Sequence, residues 1–501
     1  MKIPFKGSYG FNNSKYVDAQ SKAIISRAEK FHKLYLEFGG KLLQDFHAAR
    51  VLPGYESNAK IEVLRKLKKV KDIEFLLCIN SDYIEEGKFS SVGLSYRDFS
   101  LKMVDSLREM GFDVKTAVFT FNKGQKKVKE LAKIMKRKGL SVYYTPYIKG
   151  YPKNVAEITS VRGFRKRPFI KTTKRVVVVT GAGPTSGKMA TCLTMVYQDY
   201  VRGKDSGYAK FETFPIWNLP LSSNINGAYE AATADLGDYN VVDGYHKKAY
   251  GFAATSYNRD FEAFSLLTRI IRLLPESNYM HSYKSPTDMG INMAKEGITD
   301  EELCERAARQ EIIRRLFKYR VGLLKGKNGE DAVIRVRKLM RNRKIAINER
   351  QVVEIARKEK KKSVVKPAVG CSLEVGKTVV KARNSKRMHA EAGAIIKALK
   401  KLAGAKKDVL DEDAIRSIRK LRKEIYGKVG ENLTLKEALL VLAMSSAKNR
   451  KAKKAMDMLN ELRGAELHTT HMISEEEDRF FLRLGINATS DGEEEVKEVL
   501  F

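Results

Sequence analysis

Short apolar runs alternate with amphipathic helical patterns over the first 200 residues of the chain. Ile73–Ile79 and Val114–Phe121 are almost uninterrupted apolar runs, and Arg175–Thr180 contains four consecutive valines. Phe99–Met110 and the basic segment Gln125–Lys138 place apolar residues at helical spacing. Apolar strands separated by helices are typical of a parallel sheet covered on both faces. The pattern predicts a doubly wound, largely parallel α/β sheet, and separate α+β units are the alternative.

Residues 210–292 interrupt this regular pattern. They mix aromatic, proline, asparagine and acidic residues in short runs, which is typical of long loops and short elements. Connections of that length in a compact domain usually have a function. We therefore expect the segment to cover the ligand site of the sheet and to shape the place of a second substrate.

The rest of the chain is mostly helical in pattern. Thr299 and Glu302 have the spacing of a capping box that opens a long helix. The run Lys358–Lys362 predicts a linker, after which a strand hairpin within Ser363–Val380 precedes a helix over Met388–Leu402. The predicted organisation is an α/β domain over 1–297, a helical region over 298–360 and a small α/β subdomain over 361–501.

Composition narrows the class of protein. No stretch approaches 18 consecutive apolar residues, so no membrane span is expected. The N-terminus lacks the apolar segment of a signal peptide, and four widely spaced cysteines suit reduced thiols. These features predict a cytoplasmic protein without disulfides.

The net charge of +35 raises the question of a nucleic-acid partner. Residues 301–450 carry 40 Lys and Arg against 18 Asp and Glu, whereas residues 201–300 carry 10 against 12. The basic excess therefore lies mainly outside the unusual middle segment, and much of it has the spacing of a solvated helix face. A basic surface is favoured over a dedicated nucleic-acid partner. The oligomeric state, including a homo-oligomer, stays open.

A loop of small residues follows the valine run. Gly181 to Lys188 reads GAGPTSGK, and the residues after it have helical spacing. A glycine-rich turn between a buried strand and a helix directs main-chain N–H groups to one point and suits a phosphate. The sequence predicts a phosphate or nucleotide site, ATP with Mg²⁺ among the possibilities, whose binding residues are Gly181, Gly183, Ser186, Gly187, Lys188 and Thr191.

The match to the P-loop pattern is partial. Ala182 stands at the first glycine position and Met189 at the position of the metal-binding hydroxyl. Thr191, one turn into the helix, is the candidate replacement for that hydroxyl. The alternative interpretation is a tight turn that binds nothing.

Polar clusters in the middle segment supply further candidates. Asp235 and Asp243 are candidate Mg²⁺ ligands, since Mg²⁺ prefers oxygen. Lys210 and Glu212 share one face of a predicted strand, as in a structural salt bridge. The candidate catalytic residues are Lys188, Arg259, Asp260, Lys284 and Asp288.

Two zinc-like patterns are incomplete. His468-Thr469-Thr470-His471 lacks the glutamate and the spacing of a zinc protease motif. His389-Ala390-Glu391 has the spacing of zinc deaminases, but no Pro-Cys-x-x-Cys follows it. No zinc is predicted from the sequence.

Several long strings resemble one largely bacterial family of uncharacterised proteins, known as domain of unknown function 1846. They include YLEFGGK (35–41), HAARVLPG (47–54), IKGYP (148–152), VVVTGAGPTSGKMATCL (177–193), GYAKFETFPIWNLPL (207–221) and YKSPTDMGINMA (283–294). The resemblance implies an α/β protein with an added helical region and a C-terminal subdomain similar in layout to the cytidine deaminase fold. It implies no reaction.

Three functions follow from these observations. The first is a phosphate- or nucleotide-binding enzyme that transfers a phosphoryl group. The second is a non-catalytic protein that binds a metabolite or assists assembly through the same pocket. The third is an RNA-associated protein that uses the basic helices.

Overall fold

The computed structural model describes residues 9–90, 93–327, 329–427 and 430–492. Their internal contacts define two compact units, Tyr9–Ala308 and a C-terminal unit that begins at Arg309. Within these ranges no helix combines the length and the apolarity needed to cross a membrane.

The N-terminal unit alternates strands and helices as the sequence predicts. Its elements are α1 (Asn13–Glu29), β1 (Leu34–Phe38), α2 (Phe46–Val51), α3 (Ala59–Val70), β2 (Ile73–Asn80), α4 (Ser81–Glu85), α5 (Tyr96–Glu109), β3 (Val114–Thr120), α6 (Lys126–Arg137), β4 (Ser141–Tyr144), α7 (Val155–Ile158), β5 (Val176–Gly181), α8 (Lys188–Val201), β6 (Gly207–Phe211), α9 (Asn224–Ala232), β7 (Asn240–Val242), α10 (Gly244–Tyr250), β8 (Thr255–Tyr257), α11 (Asn258–Ile271), α12 (Pro286–Met289), β9 (Gly290–Ile291) and α13 (Ala294–Gly297).

Seven of these strands form one parallel sheet in the order β4-β3-β2-β5-β1-β6-β9. The four valines of β5 are fully buried between β2 and β1, as expected for a strand covered on both faces. The chain leaves β2 toward β3 but leaves β5 toward β6, in opposite directions along the sheet. Right-handed crossovers then place the following helices on opposite faces. The predicted doubly wound α/β sheet is confirmed.

The segment 210–292 is more regular than predicted. It contains the antiparallel pair β7–β8 and the 14-residue helix α11. Leu266, Leu267 and Ile270 on α11 are fully buried. The prediction of loops and short elements is wrong at α11. This helix begins with a polar turn, and its apolar face appears in the sequence only after that turn.

The C-terminal unit is a smaller α/β structure. Helix α14 (Glu301–Leu324) leads into it. It continues with α15 (Glu330–Asn342), α16 (Gln351–Lys361), β10 (Gly370–Val375), β11 (Thr378–Arg383), α17 (Ala390–Leu402), α18 (Glu412–Tyr426), α19 (Leu435–Ser446), α20 (Arg450–Asp457), β12 (Glu466–Thr469), α21 (Glu475–Leu484) and β13 (Asn487–Ser490). The sheet order is β11-β10-β12-β13, with β12 and β13 parallel and the other pairs antiparallel. A helical region followed by a strand hairpin and a helix is as predicted, but the hairpin ends at Arg383 and not at Val380.

Two local predictions are wrong. The α14 helix is capped by Asp300, whose carboxylate accepts from the Leu303 N–H at 2.9 Å, and the Thr299 hydroxyl instead donates to the carbonyl of Tyr9. The basic run at Lys358 is the last turn of α16 and not a linker. Cations are favourable at that end of a helix.

Candidate functional site

The loop Gly181–Lys188 lies at the carboxyl edge of the parallel sheet. It connects the end of β5 to the start of α8, and Asn80 ends the neighbouring strand β2. Because β2 and β5 lead in opposite directions, this edge is the topological switch point of the sheet. Open α/β sheets bind their ligands in the crevice at that point.

Glycines in the loop are required by close neighbours. A Cβ atom on Gly183 would lie 2.4 Å from the Tyr96 ring. Gly187, the residue before α8, has φ of +75°, and a Cβ there would lie 3.0 Å from the Thr120 methyl group. The loop therefore packs its backbone directly against Tyr96 at the start of α5 and Thr120 at the end of β3.

Polar side chains that end or follow β2 and β3 hold the loop in place. Asn80 donates its amide to the Thr185 carbonyl at 3.2 Å, and the Tyr83 and Thr185 hydroxyls are 2.7 Å apart. Thr120 donates to the Ser186 carbonyl at 3.0 Å. Thr185 has φ of +48°, in the left-handed region that a β-branched residue rarely adopts. These contacts maintain a strained backbone, as is common at binding sites.

The loop also presents donors that lack acceptors. Within the described ranges, the main-chain N–H groups of Gly183, Thr185, Ser186 and Gly187 form no hydrogen bond. The Ser186 hydroxyl is buried, in a residue only 1% exposed, and has no partner among the described residues. The ammonium group of Lys188 has no ion-pair partner in the same ranges. Buried polar groups are nearly always hydrogen-bonded, so the Ser186 hydroxyl is unusual, whereas the other residues that carry these donors are partly exposed.

Thr191 is already engaged in the structure. Its hydroxyl donates to the Gly187 carbonyl at 2.9 Å, and the Cys78 thiol lies 3.6 Å from the hydroxyl oxygen. Both contacts lie inside the protein, since Thr191 is 1% exposed. Thr191 therefore stabilises the start of α8, and a metal-binding role requires its hydroxyl to turn.

The candidate metal ligands differ in their positions. Asp235 is exposed and lies near Tyr96, the ring that contacts Gly183. Burial, followed by the neighbouring Tyr83 and Asp235, raises the pKa of Tyr96 to about 12. Asp243 instead caps α10 through the His246 N–H and accepts from the main chain and hydroxyl of Thr287. Asp235 is thus an exposed residue whose charge acts on Tyr96, whereas Asp243 joins two short helices.

Three of the predicted catalytic residues have structural partners. Arg259 pairs with Asp238 at 2.5 Å. Asp288 accepts from the main-chain N–H groups of Lys284 and Ser285, at 2.8 and 2.9 Å, and so caps α12. The Lys284 ammonium donates to the carbonyl of His281.

Asp260, the remaining candidate, belongs to a buried cluster of three charges. The Lys210 ammonium contacts Glu212 at 2.8 Å and also Asp260. Burial alone would lower the pKa of Lys210, but its neighbouring carboxylates hold it well above the usual value. Burial and the nearby Asp260 raise the pKa of Glu212 to about 7, against the opposing effect of Lys210. A carboxyl group that titrates near neutrality is suited to proton transfer.

Glu212 and Asp260 line a narrow cleft near the same edge of the sheet. Trp217, Tyr257 and Asn292 are among its other lining residues. Lys210 is in register with Glu37 on β1, which is in register with Val179 on β5. Two strand spacings, about 10 Å, therefore separate Lys210 from β5 and its loop.

Several residues of this edge were not predicted from the sequence. Asn80 and Thr120 are polar residues that end apolar strands, and this position was the available signal. Lys210 and Glu212 were predicted to be neighbours. No sequence pattern links them to Asp260, which lies 50 positions from Lys210.

The two incomplete zinc-like patterns meet in the C-terminal unit. His471 lies 2.9 Å from Glu391, although the two belong to different patterns. His468 takes no part in this contact, since its ring contacts Thr489 and Asp491.

Comparison with known proteins gives consistent matches over nearly the whole chain. The family model described as "Domain of unknown function DUF1846, N-terminal" matches residues 9–344, and the corresponding C-terminal model matches residues 348–499. The chain is 41% identical to a UPF0371 protein of Clostridium tetani over 494 residues, 97% of each chain. It is 40% identical to a UPF0371 protein of Fusobacterium nucleatum over 498 residues, 96% of this chain and 97% of that one.

Proposed function

The chain belongs to the DUF1846 family, and from its own geometry we propose that the loop Gly181–Lys188 binds the phosphate of a nucleotide or of another phosphorylated small molecule. The observation that carries this proposal is the set of donors without acceptors: four main-chain N–H groups, the buried Ser186 hydroxyl and the Lys188 ammonium.

A bound phosphate would accept from the main-chain N–H groups and from Lys188, and also from Ser186 if its buried hydroxyl turns toward the ligand. The N-terminal dipole of a helix stabilises an anion by about 0.3–1 kcal/mol, and each hydrogen bond to a charged group contributes about 1.5–3 kcal/mol. Helix α8 has no acidic residue in its first turn. No carboxylate of its own first turn therefore occupies the position where a phosphate would bind.

The buried charged cluster around Lys210 suggests that the bound phosphate takes part in phosphoryl transfer. We propose that a hydroxyl of a second substrate gives its proton to Glu212. Its oxygen then takes the terminal phosphoryl group of the nucleotide, and the nucleoside diphosphate leaves. Asp235 is the proposed ligand of a Mg²⁺ ion that neutralises charge on the phosphates. Lys188 supplies the other positive charge.

The test is a thermal-shift screen of the purified full-length protein against nucleotides, with and without Mg²⁺. Lys188→Ala is the test variant, and Lys451→Ala, an exposed lysine near the start of α20, is the control. A nucleotide at 100 times its dissociation constant stabilises a protein by about 2.7 kcal/mol. We expect this stabilisation in the wild type and in the control but not in Lys188→Ala.

The outcomes separate the alternatives. Turnover of the bound nucleotide with a second substrate supports phosphoryl transfer, and saturable binding without turnover supports a ligand-binding protein. If no nucleotide or phosphorylated metabolite stabilises the wild type, the loop is not a phosphate site.

A further inference from the structure

Two helices of the C-terminal unit bring one imidazole and two carboxylates together. Glu391 lies in the first turn of α17, Glu477 lies in the first turn of α21, and His471 precedes α21. Each residue offers one ligand atom, and the three atoms lie within 4.8 Å of one another. All three side chains are at least nine-tenths buried.

The contacts inside this group are specific. His471 Nδ1 lies 2.9 Å from Glu391, and His471 Nε2 lies 3.7 Å from Glu477. The Thr469 hydroxyl donates to Glu391 and lies 3.0 Å from His471 Nδ1. Glu477 also accepts weakly from the Ser474 N–H at 3.3 Å. Hydrogen bonds of this kind orient side chains before a metal binds.

One oxygen of the group has no partner. Glu391 is fully buried, and its Oε2 atom forms no hydrogen bond with any residue that the structure describes. Within the described ranges, no lysine or arginine pairs with Glu391 or Glu477, so two buried carboxylates share one imidazole. Burying an unpaired charge is costly unless a counter-charge or a metal ion balances it.

We propose that Glu391, His471 and Glu477 bind one divalent first-row transition metal ion, with Zn²⁺ as the best fit. Imidazole nitrogen suits such ions, whereas Mg²⁺ and Ca²⁺ favour all-oxygen sites. Zinc sites with three protein ligands keep a fourth position open.

The ion would bind on the Nδ1 side of His471, beside Glu391, and the Glu477 carboxylate, which lies 3.7 Å from Nε2, would have to turn toward it. Two ligand atoms about 2.1 Å from one tetrahedral ion are roughly 3.4 Å apart, while His471 and Glu391 are 2.9 Å apart. Entry of the ion therefore exchanges this hydrogen bond for two coordination bonds, and the free Glu391 oxygen gains a positive neighbour. This proposal does not depend on the loop at Gly181.

The experiment measures metal binding to the full-length protein. Protein freed of metal with a chelator is dialysed against Zn²⁺ in the presence of a weak competing chelator, and its zinc content is measured. The test variants are Glu391→Gln, which keeps the side-chain shape, and His471→Ala. The control is Glu359→Gln, a carboxylate that pairs with Arg383 and Lys362. Circular dichroism checks that each variant is folded.

We expect one equivalent of Zn²⁺ in the wild type and in Glu359→Gln, and binding weaker by at least about tenfold in Glu391→Gln. A Co²⁺-loaded wild type should show visible absorption bands that Glu391→Gln lacks. Zinc that binds equally to wild type and Glu391→Gln is adventitious and overturns the proposal, as does the absence of stoichiometric zinc.

Discussion

The loop at Gly181 and the group at Glu391 are both built where a strand leads into a helix, but they carry opposite charge. Helix α8 has no acid in its first turn, and its donors lack acceptors. Helices α17 and α21 place Glu391 and Glu477 in their first turns. The first arrangement is suited to an anion, and the second to a cation.

The difference shows how the residues at a strand-to-helix connection determine whether its ligand is an anion or a cation. A helix N-terminus attracts negative charge. Where the chain supplies that charge itself, as Glu391 does, the site has an excess of carboxylate. Where it supplies none, as at Ser186 and Lys188, the positive end of the helix is available to a phosphate.

The largest expected effect is on the stability of the C-terminal unit. In metal-free buffer, His471→Ala should lower the free energy of unfolding by about 3–5 kcal/mol, because it leaves two buried carboxylates without the imidazole that they share. Lys188→Ala should stay within about 0.5 kcal/mol of the wild type, since Lys188 pairs with nothing that folding buries. Urea unfolding followed by far-UV circular dichroism measures both.

Fluorescence provides an internal control for this prediction. Trp217 is the single tryptophan of the chain and lies in the N-terminal unit. Its unfolding transition should be unchanged in His471→Ala. If His471→Ala and Lys188→Ala destabilise the protein equally, the group at Glu391 and the loop at Gly181 do not differ as described.

The second largest effect is expected when a negative charge is placed in the first turn of α8, as in the first turns of α17 and α21. Lys188→Glu should abolish the stabilisation of about 2.7 kcal/mol that a nucleotide at 100 times its dissociation constant provides. The apoprotein should be unchanged or more stable by about 0.3–1 kcal/mol, because an acid is favourable at a helix N-terminus. Calorimetric titration and thermal melting measure the two quantities, with Lys451→Glu as the matched control. If Lys188→Glu binds nucleotide as the wild type does, the start of α8 is not the anion site that the comparison requires.

Glu212 predicts a pH dependence of the N-terminal unit. Its pKa is raised from 4.5 to about 7 in the folded protein, so the native state binds more protons than the unfolded chain between these values. The stability that this group contributes is complete below pH 4.5 and is lost as the pH rises through 7.

Glu212→Gln should remove this slope, which we expect to be about 1–3 kcal/mol over the interval. The measurement is urea unfolding at several pH values, followed by Trp217 fluorescence. Glu276→Gln, at an exposed position of the same unit, should keep the slope of the wild type. A wild-type slope that persists in Glu212→Gln would assign the titration to another group.

The smallest effect separates binding from stability within the loop. Ser186→Ala removes a buried hydroxyl without a partner, and such a group costs about 1–3 kcal/mol when it is buried. The variant should be more stable than the wild type by up to about 1 kcal/mol but should bind nucleotide more weakly. A variant that is less stable and binds nucleotide equally well would show that the Ser186 hydroxyl stabilises the fold and does not bind the ligand.

The sheet and the loop were predictable because their signals are local. The four valines of β5 specify a buried strand, and the small residues from Gly181 to Gly187 specify a tight turn before a helix. The donors of the loop follow from that arrangement alone. The contacts with Asn80 and Thr120 do not, because they depend on which strands are adjacent.

The charged clusters were not predictable for the same reason. Lys210 and Asp260 are separated by 50 positions, and Thr469 and Glu391 by 78. Each of these side chains looks ordinary in its own segment. Only the fold brings them together, and neither the helical nor the strand period contains that information.

The central claim is that the loop at Gly181 holds a phosphate, and a crystal structure of the protein with a bound nucleotide tests it most directly. The account predicts phosphate oxygens within hydrogen-bond distance of the main-chain N–H groups of Ser186 and Gly187, the Ser186 hydroxyl and the Lys188 ammonium. A nucleotide bound elsewhere on the protein, with this loop unchanged and its donors still without acceptors, would contradict it.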